Sequence, residues 1–255
     1  MQYPGHLLKK GSKDTEAIKA VQLQLAALGC GDLKGTGAYG DKTVAAVTLF
    51  QMRFPDRFGM PLKPDGKVGP LTWEALFGAK TVTVTNKTTG FLSSVLDVAR
   101  SQIGMMEVPP GSNAGPQVEA YLKSVGLGKG YSWCVAFLYW CFNEASKNAG
   151  KPNPMVKTAG VLDHWAKAVD KGIPVVTSAK AKNDPSLVKP GFIFIMDYGK
   201  GAGHTGLVEK IQDGRLVTIE GNTNDGGSRE GIGVFRRTGR KIFDINKGFI
   251  DYSSF

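Results

Sequence analysis

An unbroken apolar run of ten residues, 133–142, constrains the fold of this 255-residue chain more than any other feature. The run is long enough for almost three helical turns, and charged residues follow it only from Glu144 onward. A helix that is apolar on every side has to be buried. Ser132 precedes the run and is predicted to be the helix N-cap, which would place Cys134 in the first turn.

The position of Cys134 favours a reactive thiol. The first turn of a helix offers unpaired backbone N–H groups and the positive end of the helix dipole, and both favour the thiolate form that acts as a nucleophile. A free cysteine taken alone is more often a small core residue. That is the prediction for Cys141, two turns further along the same helical face, and for Cys30, which has no histidine near it in sequence.

A second candidate group lies 70 residues after Cys134, where a Gly-rich segment, residues 199–203, leads into His204. The residues that follow His204 alternate as in a strand, and Asp213-Gly214 marks a tight turn. The returning strand ends in Glu220-Gly221-Asn222. The sequence therefore predicts a β-hairpin with the histidine on one strand and the two polar residues on the other.

The length of the hairpin loop decides whether these side chains meet. A two-residue loop puts Glu220 and Asn222 on the face away from His204, because side chains alternate along a strand. A three-residue loop with a bulge at Gly214 sets His204 opposite Asn222 and brings Glu220 to the same face. A catalytic arrangement requires the second register, and we predict it; a histidine alone would more often be a hydrogen-bonded loop residue.

Taken together, these residues resemble the CHAP domain, an amidase/peptidase branch of the NlpC/P60-type papain-like superfamily. The features that carry the resemblance are a cysteine at a buried helix start, a histidine at a Gly-rich strand start and a Glu-x-Asn element ending the next strand. The resemblance covers roughly residues 91–250. Residues 188–191 also resemble the family's strand entry, although Phe192 stands where an aspartate is usual.

This resemblance implies a papain-like α+β domain with an antiparallel sheet and a cysteine-based active site. Cys134 would be the nucleophile and His204 the general base. Glu220 and Asn222 would orient and polarise the imidazole. We predict in addition that Trp133, next to the nucleophile, contacts the substrate.

The first third of the chain contains an internal repeat, because residues 36–47 return 29 positions later as residues 65–76. Both copies have the form x-Gly-x-apolar-Gly-x-x-Thr-apolar-x-Ala-apolar. The glycines permit a tight turn, and the threonine comes just before an amphipathic helix. With a further helix predicted at residues 15–28, the sequence favours a small bundle of three helices.

Residues 7–78 resemble the peptidoglycan-binding domain 1 family in this repeat and in Val21-Gln22 and Phe50-Gln51. The resemblance implies binding to the glycan or stem peptide of a bacterial cell wall. Trp73 occupies the position of the family's usual aromatic residue, and we predict it as a second substrate contact. A place in the core is the alternative for Trp73.

Length and charge agree with two modules, since 255 residues can form two domains with separate cores. We predict a peptidoglycan-binding helical module at 1–80, a Thr-rich linker at 81–90 and a CHAP-like cysteine amidase/peptidase domain at 91–255. The net charge of +10 is spread without a polybasic run and suits an anionic polymer such as the bacterial wall. Because no nucleic-acid-binding motif accompanies it, no nucleic-acid partner is expected, and we expect a monomer.

Three cysteines without spaced pairs argue against a disulfide framework. The N-terminus has no apolar signal segment, and no stretch reaches the length of a membrane span. We therefore expect synthesis in a host cytoplasm, no stable membrane association, and action at the wall after release, as for a phage endolysin. Neither a metal nor another cofactor is expected, because His6, His164 and His204 lie in unrelated segments. His164 is predicted to be a partly exposed helix residue.

The predicted function is a modular peptidoglycan hydrolase that cleaves an amide bond by a Cys-His-Glu/Asn mechanism. A non-catalytic wall-binding or phage structural protein that retains the fold is the alternative. The sequence leaves open whether the enzyme is an N-acetylmuramoyl-L-alanine amidase or an endopeptidase, because loops rather than the catalytic residues determine the bond that is cut.

Overall fold

The computed structural model describes residues 1–56, 61–78, 90–212, 215–223 and 231–255. The chain divides into two compact units. One consists of Met1–Val84, Asn183–Leu187 and Gln212–Arg215, and the other of Thr85–Lys182, Val188–Ile211 and Leu216–Phe255. Residues 81–89 of the predicted linker lie outside the described residues, and the predicted domain bounds stay a prediction. None of the helices in the described ranges has the length and apolar character needed to cross a membrane.

Three helices form the N-terminal unit: α1 (Thr15–Ala27), α2 (Asp41–Arg53) and α3 (Pro70–Phe77). Helix α1 begins at an N-cap, Asp14, whose carboxylate accepts a hydrogen bond from the Ala17 N–H at 3.1 Å. The other two helices begin directly after extended glycines of the repeat. Their apolar faces meet in one core, formed by Leu8, Ile18, Val21, Leu25, Val47, Phe50, Val68 and Trp73 among others.

A buried glutamine holds each copy of the repeat in place. The Gln22 side chain donates to the Ala38 carbonyl at 2.9 Å and to Thr43 Oγ1 at 2.8 Å, and its oxygen accepts from the Gly37 N–H at 2.9 Å. The amide thus supplies hydrogen-bond partners to polar groups of a loop and of a helix start. Without it these groups would be buried and unpaired. Gln51 makes the same three contacts one repeat later, with Lys67, Thr72 and Gly66 at 2.8, 3.1 and 2.9 Å.

The structure corrects the predicted role of Trp73. Its side chain is fully buried and packs between the rings of Tyr3 and Phe77, at centroid distances of 5.8 and 4.5 Å. An indole without exposed surface offers no platform to a ligand. Trp73 is therefore a core residue, the alternative that the sequence also allowed.

The C-terminal unit is an α+β domain, and three residues at the ends of its elements, Asn183, Gln212 and Arg215, are grouped with the N-terminal unit. Its helices are α4 (Phe91–Ser101), α5 (Pro116–Ser124), α6 (Cys134–Ala149), α7 (Val161–Asp170) and α8 (Ser178–Asn183). Its strands are β1 (Val175–Thr177), β2 (Ile193–Gly199), β3 (Ala202–Gln212), β4 (Arg215–Thr223), β5 (Gly233–Lys241) and β6 (Gly248–Ile250). Within the described part of the chain they form one sheet in the order β1-β6-β2-β3-β4-β5, and β2 pairs antiparallel with both β3 and β6. This architecture confirms the predicted α+β class.

Helix α6 is the apolar run, and it packs against α4, α5 and the sheet. The close approach to β4 depends on Gly221, where a Cβ atom would lie 2.7 Å from Cβ and Cγ of Phe137. A larger residue at this position would push the helix away from the strand. The glycine between Glu220 and Asn222 therefore sets how near the helix comes to the strand that carries them.

His164 is fully buried, so the prediction of a partly exposed residue was wrong. Helix α7 turns it inward on the same face as Val161 and Ala168, three residues before and four after. Its Nε2 lies 2.8 Å from the Tyr252 hydroxyl, which also accepts from the Val156 N–H at 3.2 Å. Burial lowers the pKa of His164 to about 4.

This burial predicts a pH-dependent stability. In the unfolded chain His164 gains a proton below about pH 6.5, whereas in the folded chain it stays neutral down to about pH 4. The neutral, buried His164 therefore contributes fully to the free energy of unfolding above pH 6.5. This contribution, roughly 3 kcal/mol, is lost as the pH falls toward 4. Urea unfolding of His164→Gln should show a smaller loss of stability between pH 7.5 and 4.5 than the wild type. Equal losses in the two proteins would contradict the assignment.

Candidate active site

His204 is the centre of a buried row of polar side chains. It lies near the start of β3 with 2% of its surface exposed, and its Nε2 donates to Oε2 of Glu220 at 2.8 Å. The Cys134 side chain lies beside the imidazole and interacts with it. The structure therefore brings three of the four predicted catalytic residues into one buried row.

Gly206 explains how Glu220 reaches the histidine. A Cβ atom at this position would lie 2.6 Å from Cγ of Glu220 and 2.7 Å from the ring of Phe194. Without a side chain there, the glutamate lies against β3 on the face that carries His204. This arrangement is the one that the three-residue hairpin loop requires. The loop residues Asp213 and Gly214 themselves lie outside the described residues.

Cys134 is the first residue of α6 and is 5% exposed. The predicted N-cap, Ser132, is wrong by one position, because Trp133 occupies the N-cap and makes no side-chain capping bond. The consequence for the thiol is unchanged. Cys134 still lies beside the unpaired N–H groups of the first helical turn.

Trp133 fixes the start of this helix and has no exposed surface. Its indole N–H donates to Oε1 of Glu107 at 2.8 Å, and its rings stack on Tyr121 at a centroid distance of 5.5 Å. The predicted substrate contact of Trp133 is therefore corrected to an anchoring role beside Cys134. Sequence reasoning missed Glu107, because a single glutamate in an irregular segment carries no periodic signal.

Arg240 is the second residue that the sequence did not reveal. It lies on β5, and its Nε and Nη2 donate to the two carboxylate oxygens of Glu220, the second at 2.6 Å. Thr218 Oγ1 donates to Oε1 of the same carboxylate at 2.5 Å. In the sequence Arg240 belongs to a stretch rich in basic residues, 236–241, which is typical of an exposed strand.

The charges of the row are strongly coupled. Burial lowers the pKa of His204, but the hydrogen bonds and charges of Cys134 and Glu220 outweigh burial and raise that pKa to about 9. Burial raises the pKa of Glu220, but hydrogen bonds from Arg240 and His204 outweigh it and lower that pKa to about 2. At neutral pH the row therefore holds an ionised carboxylate and a protonated imidazole.

Asn222 is the second-last residue of β4, two positions after Glu220, and has 1% of its surface exposed. Its backbone adopts a left-handed conformation with φ of 54°, which is uncommon for a residue other than glycine. Within the described part of the chain, its buried Oδ1 has no hydrogen-bond partner. Glu220, rather than Asn222, therefore holds Nε2 of the imidazole.

The N-terminal unit has a polar cavity of about 500 Å³ at the first copy of the repeat. Its walls include the loop that Gln22 holds in place. Acidic, basic and hydroxyl side chains line it: Asp32, Lys34, Thr36, Asp41, Lys42 and Thr43. For a metal ion, no group of three or more His, Cys, Asp or Glu side chains is suitably arranged among the described residues.

A family model matches each of the two units. The CHAP domain model matches residues 126–222, a range that contains all four predicted catalytic residues, and the model of a peptidoglycan binding domain matches residues 14–76. No curated protein and no solved structure matches the chain. The chain thus carries a peptidoglycan binding domain followed by a CHAP domain, which confirms both resemblances and indicates a peptidoglycan hydrolase with amidase or peptidase activity.

Proposed function

We propose that this hydrolase cleaves an amide bond of peptidoglycan with Cys134 as nucleophile, His204 as general base and Glu220 as the residue that orients the imidazole. The observation that carries the proposal is the buried row Cys134–His204–Glu220 at the start of α6. A protein that only bound the wall would gain nothing from a protonated imidazole buried between a thiol and a carboxylate. The row therefore favours the enzyme over a non-catalytic wall protein.

The geometry supports a two-step reaction. The imidazole of His204 holds the proton at the start, and the Cys134 thiolate attacks the amide carbonyl carbon. The first-turn N–H of Cys134 can donate to the resulting oxyanion. The imidazolium then protonates the leaving nitrogen as the C–N bond breaks. Water, activated by His204, hydrolyses the thioester, releases a carboxylic acid and restores the thiolate.

We propose that the polar cavity of the N-terminal unit holds a stem peptide or sugar of the wall. A stem peptide carries carboxylates together with amide donors and acceptors, which the mixed lining of Lys34, Lys42, Asp32 and Thr36 can match. The loop that Gln22 fixes would lose little entropy when a ligand binds. The endolysin origin, the site of release and the monomeric state stay predictions.

The first prediction concerns the thiols. Cys134→Ala should abolish the clearing of purified peptidoglycan in a turbidity assay while leaving sedimentation with walls intact, because only the nucleophile is removed. Cys141→Ala is the matched control: this thiol is fully buried seven residues along the same helix, and burial raises its pKa. It should retain lytic activity. Clearance of walls by Cys134→Ala would overturn the mechanism. Mass spectrometry of wild-type digests would identify which amide bond is cut.

Glu220→Gln should lower turnover by about two to four orders of magnitude, since the imidazole loses its charged acceptor. Asn222→Ala should have a milder effect. Wild-type activity should decline as the pH rises through about 9, where His204 loses its proton. In Glu220→Gln this alkaline limb should move to lower pH, because the carboxylate raises the imidazole pKa. If Glu220→Gln turned over at the wild-type rate, Glu220 would not be the orienting residue, and another group would hold the imidazole.

Wall binding should depend on the cavity. In the full chain, the double variant Lys34→Glu/Lys42→Glu should sediment less with insoluble peptidoglycan, because it introduces repulsion against wall carboxylates. The matched control Lys13→Glu/Lys123→Glu changes the net charge equally at exposed positions outside the cavity. Equal losses in the two double variants would indicate a general charge effect and reject the cavity as the binding site.

A further inference from the structure

We propose that Arg240 is a positioning residue of the active site, which fixes the Glu220 carboxylate against His204 and sets the pH range over which Cys134 reacts. This inference rests on the proposed role of Cys134 and His204. Arg240 acts through Glu220 and has no contact with the thiol among the interactions of the described residues.

The first argument is the saturation of one carboxylate. Oε1 of Glu220 accepts from Thr218 and from Nε of Arg240, and Oε2 accepts from His204 and from Nη2 of Arg240. Two donors on each oxygen use nearly the full acceptor capacity of a carboxylate. Two of the four donors belong to one planar guanidinium. Arg240 therefore determines the plane of the carboxylate, and with it the direction from which Oε2 meets the imidazole.

The second argument is that Arg240 is itself held in place. Its guanidinium carbon lies 4.9 Å from the centre of the Phe194 ring, and its Nη1 lies 3.4 Å from the Met196 sulfur. The side chain is 11% exposed. Phe194 also packs near the His204 ring, at a centroid distance of 6.0 Å. A side chain can orient another only if it is itself held in place. The Arg240 guanidinium is held in this way and can therefore orient Glu220.

The third argument is electrostatic. Glu220 has no exposed surface, and an uncompensated buried carboxylate would be strongly disfavoured. The groups that face this centre are Cys134 on α6, His204 on β3, Glu220 on β4, Tyr198 on β2, and Asp244 after β5. Arg240 is the cation among them that stays charged at every pH of interest. A fixed cation beside Glu220 offsets the negative charge that the His204–Cys134 pair meets, so its removal should shift the pH profile of Cys134 alkylation upward.

The same strand offers a matched control. Arg236 binds Glu209 as Arg240 binds Glu220: its Nε donates to one carboxylate oxygen at 2.7 Å and its Nη2 to the other at 3.0 Å. Among its interactions in the described residues none involves His204. Loss of this pair removes an arginine–glutamate contact from β5 without touching the row.

The experiment measures two quantities on the full chain. The first is the turnover of purified walls, and the second is the rate at which iodoacetamide alkylates Cys134, followed by peptide mass spectrometry between pH 4 and 9. Arg240→Lys keeps the charge but loses the planar fork, and it should lower turnover about 10- to 100-fold with little change in the alkylation profile. Arg240→Met should move the rise of alkylation up by about one pH unit. Arg236→Lys and Arg236→Met should behave as the wild type.

A role in stability alone would lower activity without moving the pH at which alkylation rises. The inference is overturned if the alkylation profile of Arg240→Met coincides with that of the wild type. Arg240→Gln, which keeps hydrogen-bond donors, replaces Arg240→Met if the latter does not fold. If the wild type is alkylated at Cys134 but cuts no wall, the proposed substrate fails, while the alkylation profiles still decide the role of Arg240.

Discussion

The buried Glu220 carboxylate is the interaction on which the C-terminal site depends. A carboxylate without exposed surface persists in ionised form only if charge and hydrogen bonds replace water, and the cost of an unpaired one is large. Three neighbouring strands supply the replacement, through His204 on β3, Thr218 on β4 and Arg240 on β5. The order of the strands in the sheet is thus a requirement of the chemistry, because no single hairpin holds all the donors.

The N-terminal unit solves a comparable problem on a smaller scale. Gln22 and Gln51 are buried amides, and each meets the polar groups of a loop and a helix start that lie within about 20 residues in sequence. Because these partners are local, the solution could be duplicated with the repeat that carries it. The partners of Glu220, namely Thr218, His204 and Arg240, are equally near in sequence, at separations of 2, 16 and 20 residues. Cys134, in contrast, precedes His204 by 70 residues. The row therefore needs one long-range approach, that of helix α6 to the sheet, which a local repeat could not supply.

The sequence predicted most where the signal is local. The apolar run predicted helix α6, and two strand-like segments around Asp213-Gly214 predicted a hairpin, because alternation and turn chemistry are properties of neighbouring residues. The register that brings His204 and Glu220 together was predicted because a catalytic arrangement requires it. The sequence failed where burial depends on distant partners. Trp73 is ambiguous between surface and core until Tyr3 is known to pack against it, and Trp133 until Glu107 is known to accept from its indole. The burial of His164 also depends on a distant partner, because its Nε2 is hydrogen-bonded to Tyr252 near the C-terminus.

Arg240 shows why the catalytic motif alone does not describe the site. It lies outside the residues that match the CHAP domain, 126–222, yet it contacts both oxygens of the carboxylate within that range. A bare carboxylate would hold the proton on His204 too firmly, and a general base must also return its proton to the leaving nitrogen. The guanidinium offsets part of that negative charge while it fixes the geometry. In the proposed mechanism the strength of the base would therefore depend on β5, the strand next to the one that carries Glu220.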